Sequence, residues 1–127
     1  MTDPVDLIKS EVVEGLSQLT RFVLLRSLWH GAIDGWVDFG SLDQLAAAQH
    51  LLAAGSDRED LVRLARAVAC EAVFATLDEL YVGGDVKVSG VEADWAVMES
   101  GEDGFPTGRT LPGLHEDLLA MDPGGRN

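Results

Sequence analysis

Residues 21–36 read "RFVLLRSLWHGAIDGW", and this stretch decides the fold that the sequence predicts. Its large apolar side chains recur at intervals of three and four residues: Phe22, Leu25, Trp29, Ile33 and Trp36. That spacing places them on one face of an α-helix. Because a helix with such a face must cover it with other parts of the chain, the stretch predicts a helical domain built around it.

Helix start signals extend this prediction in both directions. They are an Asp3-Pro4 N-cap and two capping boxes, "SLDQ" at 41–44 and "SDRE" at 56–59,. In each box the serine hydroxyl can accept from a backbone N–H while the Gln or Glu reaches back. Three principal helices follow from these signals, near residues 4–36, 42–54 and 57–82.

Glycines mark the predicted helix ends. Gly40, Gly55 and the Gly83-Gly84 pair stand where left-handed C-caps belong,. Three further glycines, Gly15, Gly31 and Gly35, fall inside the first helix. Each costs about 1 kcal/mol relative to alanine in a helix interior. We therefore expect a bend or break in the first helix near 15–20 or 31–35, and its continuity is left open.

Two alanine-rich segments are the expected cover for the aromatic face. They are "LAAAQHLLAA" at 45–54 and "LARAVACEAVFATL" at 64–77. Their small side chains allow helices to approach closely. Gly31 and Gly35 add to this only weakly, since a G-x-x-x-G spacing outside a membrane is poor evidence of helix packing.

The pattern changes after Gly84. Residues 85–100 alternate well enough for one or two short strands, whose apolar side holds Val86, Val88, Trp95 and Val97,. "GEDG" at 101–104 is a turn with a hairpin dipeptide, Asp103-Gly104,. The following arm, 105–111, contains Pro106 and Gly108, so it suits an edge strand or an irregular loop.

A short final helix is predicted after Pro112. It places Leu114, Leu118 and Met121 on one face, with Leu119 beside it,. We expect this segment to fold back onto the helices, and the sequence leaves open whether 94–121 packs within one chain or between chains. The predicted fold is mainly α and forms a single domain. It has three parts: a helical core at 1–84, a hairpin or loop plus short helix at 85–121, and a flexible tail at 122–127.

Length and composition predict a soluble bacterial protein of the cytoplasm. At 127 residues the chain has the commonest size of one domain,. Its strongest apolar run, 22–25, lies between two arginines and is far too short for a membrane span, and no signal peptide is visible,. One cysteine, Cys70, excludes an internal disulfide,. Seven arginines against two lysines suggest a GC-rich bacterial genome.

The net charge of −13, from 22 acidic and nine basic residues, limits the partners of this protein. Such a surface repels nucleic acid and anionic membranes, and it attracts basic proteins in a salt-dependent way. Ordinary solubility would also explain the excess of acids. The choice between these two interpretations stays open at the level of sequence.

Motifs for metal binding and catalysis fail on spacing. "HED" at 115–117 would need a second histidine at position 119 to match H-E-x-x-H, and Leu119 stands there,. His30 and His50 are also isolated, and Cys70 has no lysine or histidine within four residues to activate it,. The sequence therefore predicts no metal, no cofactor and no catalytic residue. Among many paired carboxylates, Asp34 and Asp38 beside Trp36 are the pair to inspect for acid–base chemistry.

Two hypotheses of function follow. The first is a non-catalytic acidic interaction protein, an inhibitor, an immunity-type factor or an accessory subunit that binds a basic protein. Its candidate binding residues lie in the acidic C-terminal region, where Arg109 either clamps the loop or anchors a partner: Glu99, Glu102, Asp103, Arg109, Glu116 and Asp117. The alternative is a small-molecule-binding or enzymatic helical domain, with a pocket lined by Trp29, Trp36, Phe74 and Trp95. A homo-oligomer is compatible with either hypothesis.

Overall fold

The structure, a computed structural model, describes residues 18–82, 89–91 and 95–122. Within these residues the fold is mainly α, with five α-helices and one two-stranded antiparallel hairpin that precedes the last helix. The predicted fold class is therefore confirmed. The Asp3-Pro4 cap, the first part of the predicted first helix and the Gly83-Gly84 pair lie outside the described residues.

The helices begin with α1, which spans Gln18–Ser27 and continues as a π-helix at Leu28–Ile33 and a 3-10 helix at Asp34–Val37. Four further α-helices follow: α2 at Phe39–Asp43, α3 at Ala46–Ala53, α4 at Arg58–Val82 and α5 at Leu114–Ala120. The hairpin strands are β1 at Met98–Ser100 and β2 at Pro106–Thr110. None of the helices that the structure describes is both long and apolar enough to cross a membrane.

The expected bend near 31–35 is a change of helix type. The backbone N–H of Asp34 donates to the carbonyl of Trp29, five residues earlier, which is the hydrogen-bond pattern of a π-helix,. The wider turn lets Leu25, Trp29 and Ile33, spaced by four, all stay buried on one side. The helix then tightens and ends at Val37.

The predicted second helix is divided into two, and its start signal is wrong. Ser41 lies inside α2 and donates its hydroxyl to the carbonyl of Gly35 at 2.7 Å, so it does not cap a helix. Gly40 likewise lies within α2 and does not end one. The break between α2 and α3 falls at Gln44 and Leu45, and Leu45 has an extended backbone.

The start of α4 lies one residue later than its capping box indicates. Asp57, and not Ser56, accepts from the backbone N–H of Glu59, at 2.7 Å. An aspartate N-cap satisfies one of the unpaired N–H groups at the first turn of a helix. Gly55 ends the preceding helix with a φ of +100°, as predicted for a left-handed C-cap,.

The core forms where α1 and its π-helical continuation, α4 and α5 meet. Its buried side chains are Leu25, Trp29, Ile33, Cys70, Leu77, Leu111, Leu114 and Leu118. The alanine-rich segment 64–77 does cover the aromatic face, as expected. The other alanine-rich segment, which forms α3, adds no residue to this core cluster, and α5 takes its place.

Polar bonds join α1 to the C-terminal segment within one chain. The indole N–H of Trp29 donates to the carbonyl of Leu118 at 2.8 Å in a buried position. Arg21 donates to the carbonyl of Pro112 at 2.5 Å and pairs with Asp117 at 3.1 Å. Because buried donors must be satisfied, these bonds fix α5 in one place against α1.

The hairpin forms at the predicted turn. The backbone N–H of Gly104 donates to the carbonyl of Gly101 at 3.0 Å, and Gly104 has a φ of +83°, which glycine adopts most readily,. Met98 pairs with Thr110 and Ser100 with Pro106, with an irregularity between the two pairs. The second arm is therefore a strand in spite of its proline, at the edge of a two-stranded sheet.

A second polar cluster surrounds Arg66 on α4. Its guanidinium bonds to Asp34 at 2.6 Å and to Asp122 at 2.8 Å, and it lies 5.3 Å from the centre of the Trp29 ring. Burial opposes the charge, but these bonds outweigh it and raise the pKa of Arg66. Asp122, the first residue of the predicted tail, is thereby tied to α4, and residues 123–127 lie outside the described part of the chain.

Truncating Leu118 tests whether α5 completes the core. Leu118→Ala should lower the free energy of unfolding by about 2–5 kcal/mol, since Leu118 is fully buried and its removal leaves a cavity,. Leu119→Ala is the matched control, because Leu119 is 40% exposed in the same helix. Urea unfolding followed by circular dichroism measures both variants. Equal losses in the two would contradict the packing described here.

Candidate functional site

A cleft of about 220 Å³ opens between α4 and the C-terminal segment. Three parts of the chain form its walls: the end of α4, the residues before β1, and the stretch from the end of β2 into α5. Most of the lining side chains are apolar or aromatic, and the lining consists of Leu77, Leu80, Tyr81, Trp95, Ala96, Val97, Thr110, Leu111, Pro112 and Leu114.

Two aromatic side chains give the cleft its accessible surface. Tyr81 is 56% exposed and Trp95 is 44% exposed. The indole N–H of Trp95 donates to the carbonyl of Glu79 at 3.3 Å, which holds this ring against the last turns of α4. Exposed tyrosine and tryptophan side chains are typical of binding surfaces, because they bury a large area at a small cost in conformational entropy.

His115 connects the cleft to two carboxylates. Its ring lies 5.3 Å from that of Tyr81 and meets Phe74 edge-on at 5.5 Å. Its Nε2 is 3.5 Å from Asp78 Oδ1 and 3.8 Å from Glu116 Oε1, while Nδ1 is buried and finds no hydrogen-bond partner among the described residues. The carboxylates of Asp78 and Glu116 therefore lie beside the Tyr81 end of the cleft.

The four aromatic residues predicted for a ligand pocket do not come together in this cleft. Of the four, only Trp95 lines it. Trp29 is buried in the core, Phe74 packs against the core and His115, and Trp36 is half-buried on the 3-10 helix. The side chain that joins Trp95 in the cleft is Tyr81, which the sequence did not single out.

Glu99, a candidate binding residue, is buried and has a structural role. It is only 7% exposed, and its carboxylate accepts from the hydroxyl of Thr20 and from the Nε and Nη2 of Arg109. The Thr20 hydrogen bond lowers the pKa of Glu99, and Arg109 adds to the effect in opposition to burial. Glu99 thus ties the hairpin to α1, and Arg109 joins the two hairpin strands through Glu99, where the sequence had suggested Glu102, Asp103 or a carbonyl as its partner.

The other acidic candidates divide into two places. Glu102 and Asp103 are exposed in the hairpin turn, where Asp103 also accepts from the backbone N–H of Phe105 at 3.0 Å. Glu116 is exposed at the start of α5, and Asp117 beside it is engaged by Arg21. Glu102, Asp103 and Glu116 are therefore exposed without an ion pair to a described arginine, and the side chain of Asp117 is 51% exposed although it pairs with Arg21.

Most described arginines neutralise carboxylates of their own chain. Ion pairs are formed by Arg21, Arg58, Arg63, Arg66 and Arg109. Several acids form no ion pair with a described residue other than His115, and they face solvent or lie at its edge: Asp38, Asp57, Glu59, Glu71, Asp78, Glu79, Glu102, Asp103 and Glu116. The negative charge that no described arginine neutralises therefore lies at or near the protein surface.

The remaining titratable candidates are dispersed. His30 and His50 are exposed, and within the described residues no group of three or more His, Cys, Asp or Glu side chains could hold a metal ion. Asp34 is engaged by Arg66 while Asp38 is exposed, so the pair shares no pocket. Burial raises the pKa of the Cys70 thiol, which lies in the core as a small apolar side chain.

Sequence reasoning missed Asp78 and Tyr81 as members of the site. They stand three apart in the last turns of α4, so they lie on neighbouring parts of one helix face,. That spacing was the available signal. The cleft itself depends on residues 110–114, which reach α4 only through the tertiary fold.

A comparison of the chain with known protein families, curated proteins and solved structures finds no match.

The buried Glu99 carboxylate predicts acid sensitivity of the fold. Because its pKa is lower in the folded protein, its stabilisation is complete above the ordinary value of 4.5 and is lost as pH falls through the lowered value,. Glu99→Gln should therefore lower stability at neutral pH, and its difference from the wild type should shrink in acid. Urea midpoints measured across this pH range test the expectation.

Glu102→Gln is the control for that measurement, since Glu102 is an exposed glutamate in the same hairpin. It should leave the pH dependence close to that of the wild type. A wild-type and a Glu99→Gln curve that stay parallel down to acid pH would rule out the role assigned to Glu99.

Proposed function

We propose that this protein is a non-catalytic acidic protein that binds a basic protein partner through the apolar cleft between α4 and the C-terminal segment. In this function it acts as an inhibitor, an immunity-type factor or an accessory subunit. The observation that carries the proposal is an aromatic-walled cleft bordered by carboxylates that no described arginine or lysine neutralises.

Charge supports a basic partner. The net charge of the chain is −13, and five arginines are engaged in ion pairs within the fold. A field of one sign raises the rate of encounter with a partner of the opposite sign and discriminates against acidic proteins. Affinity then has to come from contacts that exclude water, because exposed ion pairs contribute little by themselves.

The cleft supplies such contacts. Tyr81 and Trp95 present exposed aromatic surface, and Leu77, Leu111 and Leu114 form the apolar floor. Interfaces obtain most of their binding energy from a few well-packed apolar or aromatic anchors surrounded by a polar rim. Here the rim includes Asp78 and Glu116 through their contacts with His115, so an apolar side chain flanked by Lys or Arg would be complementary.

The size of the cleft favours a protein partner over a small molecule. Ligand pockets usually enclose roughly 300–1,000 Å³, and this cleft encloses about 220 Å³. A volume of this size accommodates one or two inserted side chains. The alternative, a ligand-binding helical domain, retains a single favourable observation, which is that Trp95 lines the cleft.

Variants of the cleft test this proposal with a partner isolated from the native host and identified by mass spectrometry. Tyr81→Ala and Trp95→Ala should each weaken binding by about tenfold or more, as expected for aromatic anchors. Phe105→Ala is the control, because Phe105 is 70% exposed and lies outside the cleft. Isothermal titration calorimetry gives the dissociation constants.

Salt dependence tests the role of the rim. Binding should weaken as ionic strength rises, and the double variant Asp78→Asn, Glu116→Gln should show a smaller dependence because it lacks two of the attracting charges. Glu59→Gln serves as the control at an exposed position of α4. A partner that binds with no salt dependence, or that is unaffected by either aromatic variant, would refute the proposed function.

A further inference from the structure

The outer face of α4 is apolar although no described element covers it. Leu64 is 60% exposed and Val68 is 58% exposed, and they stand one helical turn apart. Ala72 and Ala75 are also exposed and continue the same row toward the C-terminal end of the helix,. We call these four residues the outer stripe.

The outer stripe lies opposite the buried side of the helix. Cys70 and Leu77 face the core, and they are rotated by about half a turn from Val68 and Ala75 in a helix of 3.6 residues per turn,. The helix is therefore apolar on two opposite sides. Single exposed apolar residues are normal, but a helix that is apolar on both sides is typical of one packed on both sides.

An acidic row borders the outer stripe along one edge. Asp60, Glu71 and Asp78 are spaced by 11 and seven residues, which is close to three and two full helical turns,. The side chain of Asp60 is 74% exposed and that of Asp78 is 44% exposed, and Glu71 is exposed as well. Asp60 contacts Arg63 and Asp78 contacts His115, while Glu71 has no ion pair with a described residue.

This charge pattern indicates which kind of partner can cover the outer stripe. Two copies of a chain with a net charge of −13 repel each other,. In an antiparallel two-fold pair of α4 helices, both acidic rows would also lie on the same side of the contact, where like charges meet. The first 17 residues of the chain carry four acids and one lysine, Lys9, so they do not complement the row either.

We infer that the outer stripe binds an amphipathic helix of a partner protein, whose apolar face is bordered on one side by Lys or Arg. The small side chains of Ala72 and Ala75 leave room for a large apolar residue of that helix, and Leu64 and Val68 insert between its smaller ones. The inference rests on the proposed function for the basic character of the partner. Its apolar contacts differ from those of the cleft, since Tyr81 and Leu77 lie away from the stripe on α4, while Asp78 borders both surfaces.

Synthetic helical peptides provide the test. One peptide carries a Leu and Ala stripe bordered by Lys, and a second has Glu in place of each Lys. Fluorescence anisotropy with the full chain should show binding of the Lys peptide and at least about tenfold weaker binding of the Glu peptide. Sedimentation of the free protein reports whether copies associate.

Matched valine variants locate the site. Val68→Asp should weaken binding of the Lys peptide by about tenfold or more. Because the substitution adds a negative charge that attracts this peptide, charge repulsion does not explain a loss, and circular dichroism checks that the variant keeps its helices. Val23→Asp is the control, since Val23 is 55% exposed on α1, and it should bind the peptide as the wild type does.

The outcomes separate this inference from the proposed function. Loss of binding in Val68→Asp and not in Tyr81→Ala supports the stripe. Loss in Tyr81→Ala alone overturns the stripe and leaves the cleft as the binding site, and no binding of either peptide overturns the stripe as well. A wild-type dimer that Val68→Asp converts to a monomer would show that a second copy covers the stripe, which also overturns the inference.

Discussion

The fold depends on the closure of its core by a segment from the other end of the chain. Trp29 is almost fully buried, and its indole N–H finds a partner in the carbonyl of Leu118, 89 residues later. An unsatisfied buried donor would cost about 1–3 kcal/mol, and the apolar surface of Trp29 and Leu25 would face water without α5. The C-terminal segment must pack against α1 to cover this apolar surface, and this packing positions the hairpin and the cleft.

The packing of the C-terminal segment on the helices also determines which acidic side chains are neutralised by arginines. Arg21, Arg66 and Arg109 each connect separate parts of the chain, and they neutralise the half-exposed Asp117 and the buried side chains of Asp122 and Glu99. The described acids that pair with no described arginine face solvent or lie at its edge. The surface is therefore negative because the few described arginines mostly pair with acids of their own chain. The cleft and the outer face of α4 both lie on this negatively charged surface.

Local patterns predicted the elements, and tertiary contacts decided the rest. The spacing of Leu25, Trp29 and Ile33 was enough to predict the buried face, and the apolar row after Pro112 was enough to predict α5, because both signals are helical periodicity. The cap of α4 was misplaced because Ser56 and Asp57 are both good N-caps and only the backbone path selects one. The burial of Glu99 was not foreseen, since it depends on Thr20 and Arg109, which are distant in sequence. The cleft was not foreseen for the same reason.

The long separation between Trp29 and Leu118 has a consequence for synthesis in the cell. A ribosome releases the chain from its N-terminus, so the aromatic face of α1 emerges well before the residues that cover it,. During that interval the nascent chain exposes Leu25, Trp29 and Ile33 to other molecules. Protection at this stage by a chaperone, or by rapid pairing of α1 with α4, would be needed until translation passes the last helix.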